Sequence, residues 1–578
     1  MYKNFINIFY VLNQKQRVKS FVLVFLIIVG SLLEIICLFS LYEIIKFSTT
    51  LLSEEKIYKE NYYISYFFLL FQIDFDIKNL IYTALFFYII KFIYILSISI
   101  YQFKLINSIR VFLNIYLFKK YLNKDYIFYL KNNPTQLIRN IETEVGQFIL
   151  GCFLQAIILI TEISLLLLII VSLFFINFEI VLTIFFVFLF ISIIYFLLIK
   201  KFLLIQGKKR LLFSEKVLKS INEALYGIKN IKIFNAGNYF VNALNNNAKE
   251  LAKTNTYLSV FSQVPKNALE LVAVIGISLF FTSQIFSNQI GPLFFSTIGF
   301  FVIASFKILP SLSKIILSFQ NLRFSQPSLN IIKKEVNPRI TEQKKILLHN
   351  KKTNIFLFKD NITLKNVSFR YPGAKNNLLN KINLNIKKGD IIGVFGDSGS
   401  GKSTLIDIII GLLKPISGTV RVDGILIDEN NEKYWLEKIG YVPQKIFLTD
   451  DSVRNNVAFG KEKIEINDKK IFQSLKMSEL NKFVHSRGLD AFLGQDGINI
   501  SGGQIQRVGI ARCLYKDSEL YIFDESTNSL DESTEKKIFK VIKKITTNKT
   551  AIIISHKKDN LKICNKIFTL TNGVLKKI

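Results

Sequence analysis

The pattern of apolar and polar positions divides the chain into two unlike halves. Before about residue 320 long apolar runs recur, at roughly 21–47, 79–103, 146–176, 179–200, 258–285 and 293–320. About 20 consecutive apolar residues cross a bilayer, so these runs predict six transmembrane helices. Beyond about residue 355 the pattern changes. Short apolar runs of strand length alternate there with helical stretches, which predicts a mainly parallel α/β domain. A polar, lysine-containing stretch separates the halves. The expected division is a membrane domain over 1–325, a linker over 326–354 and a soluble domain over 355–578.

The first apolar run follows Lys3, Lys15, Arg17 and Lys19. It is too long for the apolar region of a secretory signal and no small-residue cleavage site is evident, so it reads as a cytoplasmic amphipathic segment followed by a first span. Lys119-Lys120, Lys200-Lys201 and Lys208-Lys209-Arg210 flank segments that then face the cytoplasm, with both termini on that side. Two stretches, about 104–145 and 201–257, are too long for simple loops. They read as spans extended into the cytoplasm, with turns at Tyr126–Asn133 and Leu225–Asn235. The segment Ser48–Asp76 faces outside, either as an interfacial helix or as a solvated loop.

Composition changes this picture little. The 578 residues are 50% hydrophobic, with 54 Phe, and carry 74 Lys+Arg against 43 Asp+Glu, a formal net charge of +31. The excess is dispersed lysine with no basic stripe or reader module, which argues against a nucleic-acid partner. Cys37, Cys152, Cys513 and Cys564 have neither metal-ligand nor disulfide spacing and read as inert apolar residues.

Charge inside the spans carries more information. A central lysine costs about 2.5–3.5 kcal/mol on insertion scales and is by default a functional candidate. Lys91 lies in the second span, Lys266 early in the fifth and Lys307 in the sixth, three residues before Pro310, which is expected to kink its helix. Glu34, Glu162 and Glu270 are possible partners. The competing reading is that these lysines snorkel or pair structurally.

Candidate chemistry concentrates in the soluble half. Ile391–Phe395 reads as a buried strand, Gly396-Asp397-Ser398-Gly399-Ser400-Gly401 as a glycine-rich turn, and Lys402-Ser403-Thr404 as the start of an apolar helix. Strand, turn and helix in that order form a P-loop, whose amide groups wrap phosphates. Lys402 is then expected to reach the β- and γ-phosphates of ATP, and Ser403 to ligate Mg²⁺. Tyr371 is suited to stacking on an adenine ring, and Gln444 to contacting the metal or the attacking water. Ser501-Gly502-Gly503-Gln504 opens a helix with an N-terminus suited to phosphate. Leu520–Phe523 is an apolar strand ending in Asp524, a candidate Mg²⁺ ligand, and Glu525, a candidate general base. Ser529-Leu530-Asp531 and then His556 follow.

In order and spacing this set resembles the ATP-binding cassette family over about residues 355–578. Six N-terminal spans with long cytoplasmic extensions are similar to the type IV exporter fold, which carries the resemblance over the whole chain. It implies a six-helix membrane domain joined to an α/β P-loop NTPase domain of the ABC type. The implied activity is ATP hydrolysis driving movement across the cell (inner) membrane, with ATP and Mg²⁺ as cofactors and the nucleotide-binding domain cytoplasmic. A single P-loop and a single signature imply half a transporter. The expected assembly is a homodimer in which Gly396–Thr404 of one copy faces Ser501–Gln504 of the other. Departures from the family pattern are Ile505, Ser526, Asn528 and Lys557, none of which removes a catalytic group.

The membrane half looks similar to flippases of lipid-linked oligosaccharides. That resemblance rests on the outer segment, on Val264–Glu270 opening the fifth span and on Phe306–Ile315 in the sixth. It implies a pyrophosphate-linked lipid contacted by Lys307, Lys266 and Lys91. Export of lipid A, drugs or peptides, or an ATP-gated regulatory role, are the alternatives.

Overall fold

The computed structural model describes residues 2–52, 76–174, 178–286, 292–336, 358–525, 531–546 and 549–578. Most of the outer segment, most of the linker, Ser526, Asn528, Ser529 and Leu530 lie outside the described residues. The chain forms two compact units, Met1–Lys124 with Phe128–His349, and Asn350–Ile578 with Asp125–Ile127.

The first unit is helical. Its elements are α1 (Tyr2–Val11), α2 (Gln14–Leu52), α3 (Ile77–Leu122), α4 (Leu154–Phe174), α5 (Phe178–Tyr226), α6 (Gly237–Phe286), α7 (Pro292–Phe324) and α8 (Gln326–Glu335). Among the described residues, Gln14–Ser48, Ile77–Leu122 and Pro134–Ser172 are long and apolar enough to cross a membrane. The expected spans at 179–200, 258–285 and 293–320 fall within α5, α6 and α7, part of whose side chains lies outside the described residues. Helix length explains the polar extensions. At about 1.5 Å per residue, the 46 residues of α3 reach about 70 Å, more than twice a hydrocarbon core of about 30 Å. The N-terminal half of α3 presents Phe86, Phe92 and Ile93 outward, as a lipid-facing surface does, while Ile109, Leu113 and Leu117 further along are buried. Both expected tips contain a short helix, Tyr126–Lys131 and Ile228–Ile233. Pro310 and Pro265 sit inside α7 and α6, which continue through them.

Packing in this unit is closest where α7 ends. The segment before α4 runs Pro134–Arg139, Asn140–Glu144, Val145–Phe148 and Ile149–Phe153, the second and fourth pieces being π-helical. Single π turns inside helices widen the coil and tend to mark functional positions. Beside them a polar network is buried. The Arg210 guanidinium and the Ser328 hydroxyl both donate to Glu144 Oε2, at 2.8 and 2.6 Å, and Arg139 pairs with Glu215. Glu144 is fully buried, so this carboxylate depends on its partners for the solvation it has lost. Gly207 on α5 faces the same point: a Cβ there would stand 2.0 Å from the carbonyl oxygen of Phe324.

The second unit has two sheets. β1 (Asn361–Phe369), β2 (Leu379–Lys387), β4 (Ser417–Val422) and β5 (Ile425–Leu426) form an antiparallel sheet in the order β2-β1-β4-β5. β3 (Ile391–Phe395), β6 (Ile439–Val442), β7 (Leu520–Asp524), β8 (Thr550–Ile554), β9 (Lys566–Thr571) and β10 (Val574–Lys577) form the other, in the order β10-β9-β3-β8-β7-β6, parallel except for the β9–β10 edge. The expected mainly parallel core is therefore joined by a separate antiparallel sheet. Every residue of β7 and β8 is buried, which explains their uninterrupted apolar sequences. Trp435, fully buried, donates from its indole to the carbonyl of Ile409 at 3.0 Å and fixes α9 (Lys402–Ile409) against this core.

Gly207→Ala is expected to destabilise the helical unit by about 1–3 kcal/mol, because the opposing atom is backbone and cannot swing away. Gly237→Ala, which meets nothing within 4 Å, is the control and is expected to leave stability unchanged or slightly raised. Thermal denaturation of the detergent-solubilised protein measures both.

Candidate functional site

β3, β8, β7 and β6 are neighbouring parallel strands, so their carboxyl ends share one sheet edge. Four motifs far apart in sequence leave the sheet at that edge: Gly396–Thr404 after β3, Ser555-His556 after β8, Glu525 after β7 and Pro443-Gln444 after β6. In open parallel sheets this crevice is where ligands bind.

The P-loop ends in Gly401 with φ near 101°, directly before α9. That left-handed conformation is costly for any residue with a Cβ, and it turns the chain so that amide groups of the loop and the helix start face one concavity. Around it lie Asp397, Ser398, Gly399 and Ser400. The Ser400 hydroxyl is buried and has no hydrogen-bond partner among the described residues, as befits a donor that an anion would satisfy. Lys402 is buried. Its ammonium donates to the carbonyls of Gly396 and Asp397, at 2.8 and 2.9 Å, and stands 3.8 Å from Glu525 Oε1. Thr404 shares a 3.0 Å hydrogen bond with the Tyr371 hydroxyl, whose ring stands edge-on to Phe369.

Glu525 is the hub. Gln444 donates to its Oε2 at 2.8 Å, and His556 Nδ1 lies 3.9 Å from its Oε1. Its backbone has φ near 47°, left-handed for a residue that is not glycine, and such strain persists where surrounding structure over-determines it. Asp524, one residue earlier, is buried and hydrogen-bonded to Ser403 and, at 3.3 Å, to the Tyr441 hydroxyl. Burial pushes its carboxyl above the ordinary value, against those two hydrogen bonds. Hydroxyl and carboxylate oxygens side by side suit a hard cation such as Mg²⁺. No group of three or more His, Cys, Asp or Glu able to hold a metal occurs among the described residues, so phosphate oxygens and water would complete the shell. Held by Ser403 and Asp524, such an ion would supply positive charge toward a bound phosphate.

Ser501 caps α10 (Gly502–Lys516). Its hydroxyl accepts from the Gln504 amide at 3.3 Å, and the Gln504 side chain returns the bond to the Ser501 amide at 2.9 Å. Ser501 and Gly502 are exposed, and α10 packs chiefly on the helices Asp468–Met477 and Val453–Val457 and on β6. The signature is therefore presented to solvent on its own helical face. Asp531 caps α11 (Glu532–Ile545), accepting from the Thr534 amide at 3.0 Å. Arg512 is spent structurally, donating to the carbonyls of Asn456 and Phe447 at 2.8 and 2.9 Å. Burial pushes the thiols of Cys513 and Cys564 up to about 12, which keeps them unreactive.

Two of the three span lysines meet. Lys91 on α3 and Lys307 on α7 pair with opposite oxygens of Glu34 on α2, at 2.8 and 2.6 Å. Lys266 is exposed and lies 4.0 Å from Glu270, one turn along its own helix. Glu162 pairs with Lys314 at 2.7 Å.

Sequence reasoning passed over two groups at the sheet edge. Asp407 follows Ser403 by one helical turn, a spacing that put it beside the metal corner. Burial, reinforced by the nearby Asp524, pushes its carboxyl up to about 6. Tyr441 is the first residue of the Tyr-Val-Pro-Gln run, and its place in the strand beside β7 is what brings its hydroxyl to Asp524.

Residues 379–528 match the family model described as ABC transporter. A solved structure, a bacterial Atm1-family ABC exporter with ATP bound, superposes with a TM-score of 0.77 over 97% of this chain and 94% of its own, at 18% sequence identity. This chain has the fold of an ABC exporter. Among curated proteins it is 36% identical over 217 residues to the uncharacterized ABC transporter ATP-binding protein YwjA of Bacillus subtilis (strain 168), covering 37% of each chain. It is 34% identical over 215 residues to an ATP-dependent lipid A-core flippase of Wigglesworthia glossinidia brevipalpis, again 37% of each. The chain thus spans little more than a third of the length of these relatives. The β3–α9 turn, Asp524 and Glu525 lie together at the carboxyl edge of the parallel sheet.

Glu525→Gln is expected to lower the rate of phosphate release by about 10²–10⁴-fold while nucleotide binding persists, measured by phosphate release and by retention of labelled ATP. Unimpaired turnover in that variant would exclude Glu525 as the base. Asp407 gives a pH signature. Its folded value lies above the ordinary 3.8, so its ionised form disfavours folding, and stability falls as pH rises from about 4 to about 6. Asp407→Asn is therefore expected to stabilise the nucleotide-free protein at pH 8, by about 2–3 kcal/mol at most, and not at pH 4, read from melting curves at both values.

Proposed function

We propose that this protein is a homodimeric, Mg²⁺-dependent ABC ATPase of the cell (inner) membrane that flips a phosphate-bearing lipid, a lipid-linked oligosaccharide. The observation that carries the ATPase reading is the meeting of Lys402, Gln444 and His556 on Glu525. Glu525 acts as general base toward water, Lys402 and the P-loop amides hold the β- and γ-phosphates, Ser403 and Asp524 ligate the cation, and His556 contacts the γ-phosphate. Tyr371 lies against the adenine. The exposure of the Ser501–Gln504 helix start supports the homodimer reading. This helix start is solvent-exposed and packs on other helices, so it is suited to completing the P-loop site of a second copy, with Asp531 as a further candidate contact. The cassette is cytoplasmic, and the membrane domain, linker and cassette divide at 1–325, 326–354 and 355–578.

The substrate reading rests on cationic groups within the spans. Ammonium groups bind phosphate as point charges, and Lys307, Lys91 and Lys266 are the candidates. The second reading, lipid A, is favoured by the relative named as a lipid A-core flippase and shares the same phosphate chemistry.

A flipping assay in proteoliposomes, with a lipid-linked oligosaccharide, lipid A and a cationic drug side by side, separates these readings. ATP-dependent movement of the first, lost in Glu525→Gln and reduced at least tenfold when the three lysines are replaced by glutamine, is the expected result. Preferential movement of lipid A supports the second reading. Movement that survives the triple replacement removes the lysines from the substrate site.

A further inference from the structure

The three charges that meet among α2, α3 and α7 do not cancel. Glu34 is one carboxylate, its side chain 6% exposed, and it holds two ammonium groups, Lys91 at 2.8 Å and Lys307 at 2.6 Å. Among the described residues, two positive charges less one negative leave the cluster at +1. Uncompensated charge within a span is unfavourable, and the two lysines are not equivalent in bearing it. Lys91 is 12% exposed and lies over the Tyr88 ring, 4.8 Å from its centroid, so it is held on two sides. Lys307 is 40% exposed, and Glu34 is its one ion-pair partner among the described residues. Lys266 is elsewhere, exposed beside Glu270.

We propose that Glu34 is a built-in counter-anion that holds Lys307 until an anionic headgroup takes its place, and that Lys307 alone of the three span lysines meets the substrate. The proposal rests on the phosphate-lipid reading above and sharpens it. Lys91 becomes a positioning residue that orients Glu34, and Lys266 takes no part. An incoming phosphate satisfies the surplus charge and competes with Glu34 for the Lys307 ammonium. Exchange between two anions keeps the site from binding too tightly to release, because Glu34 recaptures the lysine as the headgroup leaves.

The test is amine footprinting of Lys307 by mass spectrometry, on the full chain in lipid nanodiscs, with farnesyl diphosphate, inorganic pyrophosphate and farnesol as probes. Farnesyl diphosphate is expected to protect Lys307 and farnesol is not. Glu34→Gln is expected to lower the half-protecting concentration about tenfold, and Glu34→Asp, with its shorter reach, by a smaller factor in the same direction. Inorganic pyrophosphate protecting as well as farnesyl diphosphate would uphold the anion exchange and overturn the lipid reading. Protection that is unchanged or weakened in both Glu34 variants would overturn the exchange while leaving the phosphate-lipid reading in place. Absence of protection by either anion in the unaltered protein would overturn both.

Discussion

The parallel alignment of β3, β8, β7 and β6 is the constraint on which the rest depends. Ile391–Val394 pair with Ala551–Ile554, and Leu520–Asp524 with Thr550–Ile554. Parallel strands with matched registers end together, and only then do a lysine near residue 402, a glutamate at 525 and a histidine at 556 come within ion-pair reach. The registers are held by side chains that have no alternative. β7 and β8 are buried along their whole length, so slippage would expose isoleucine or bury the charge of Asp524 one layer deeper. The chemistry at the edge is therefore a property of the apolar strands beneath it.

The helical unit meets a different demand with the same economy of means. Long helices satisfy their own backbones in the bilayer, and their polar side chains are packed most fully in the extensions beyond the apolar runs. That is where Glu144, Arg210 and Ser328 are buried and where Gly207 lets α5 touch the end of α7. Along the span-forming stretches the outward side chains include many Phe, Ile and Leu, while Glu34 meets Lys91 and Lys307, and Glu162 meets Lys314.

Much of this was legible in the sequence, and for physical reasons. Glycine-rich turns between strand and helix have few uses, and an apolar strand that ends in two acids points to an edge rather than a solvated turn. Apolar run length reports membrane crossing because thickness is fixed. The antiparallel sheet was not legible, since β1, β2 and β4 alternate or mix burial and lie at the sides of a stronger parallel signal. Asp407 and Tyr441 were missed because each looks ordinary in its own element; the turn of helix after Ser403 brings Asp407 near Asp524, and the β6–β7 pairing brings the Tyr441 hydroxyl to it. Glu34 was visible as a possible partner, but nothing in one dimension says that it serves two lysines and that Lys266 stands apart.

The network around Glu144 has a mechanical consequence. Pulling one member away leaves a carboxylate in a dry interior, at a penalty of about 3–5 kcal/mol, so α8, α5 and the π-helical segment before α4 resist being parted. Those three elements form a splint just beyond Ser325, where the helix is interrupted. The second π turn, Ile149–Phe153, lies between this splint and the apolar helix α4.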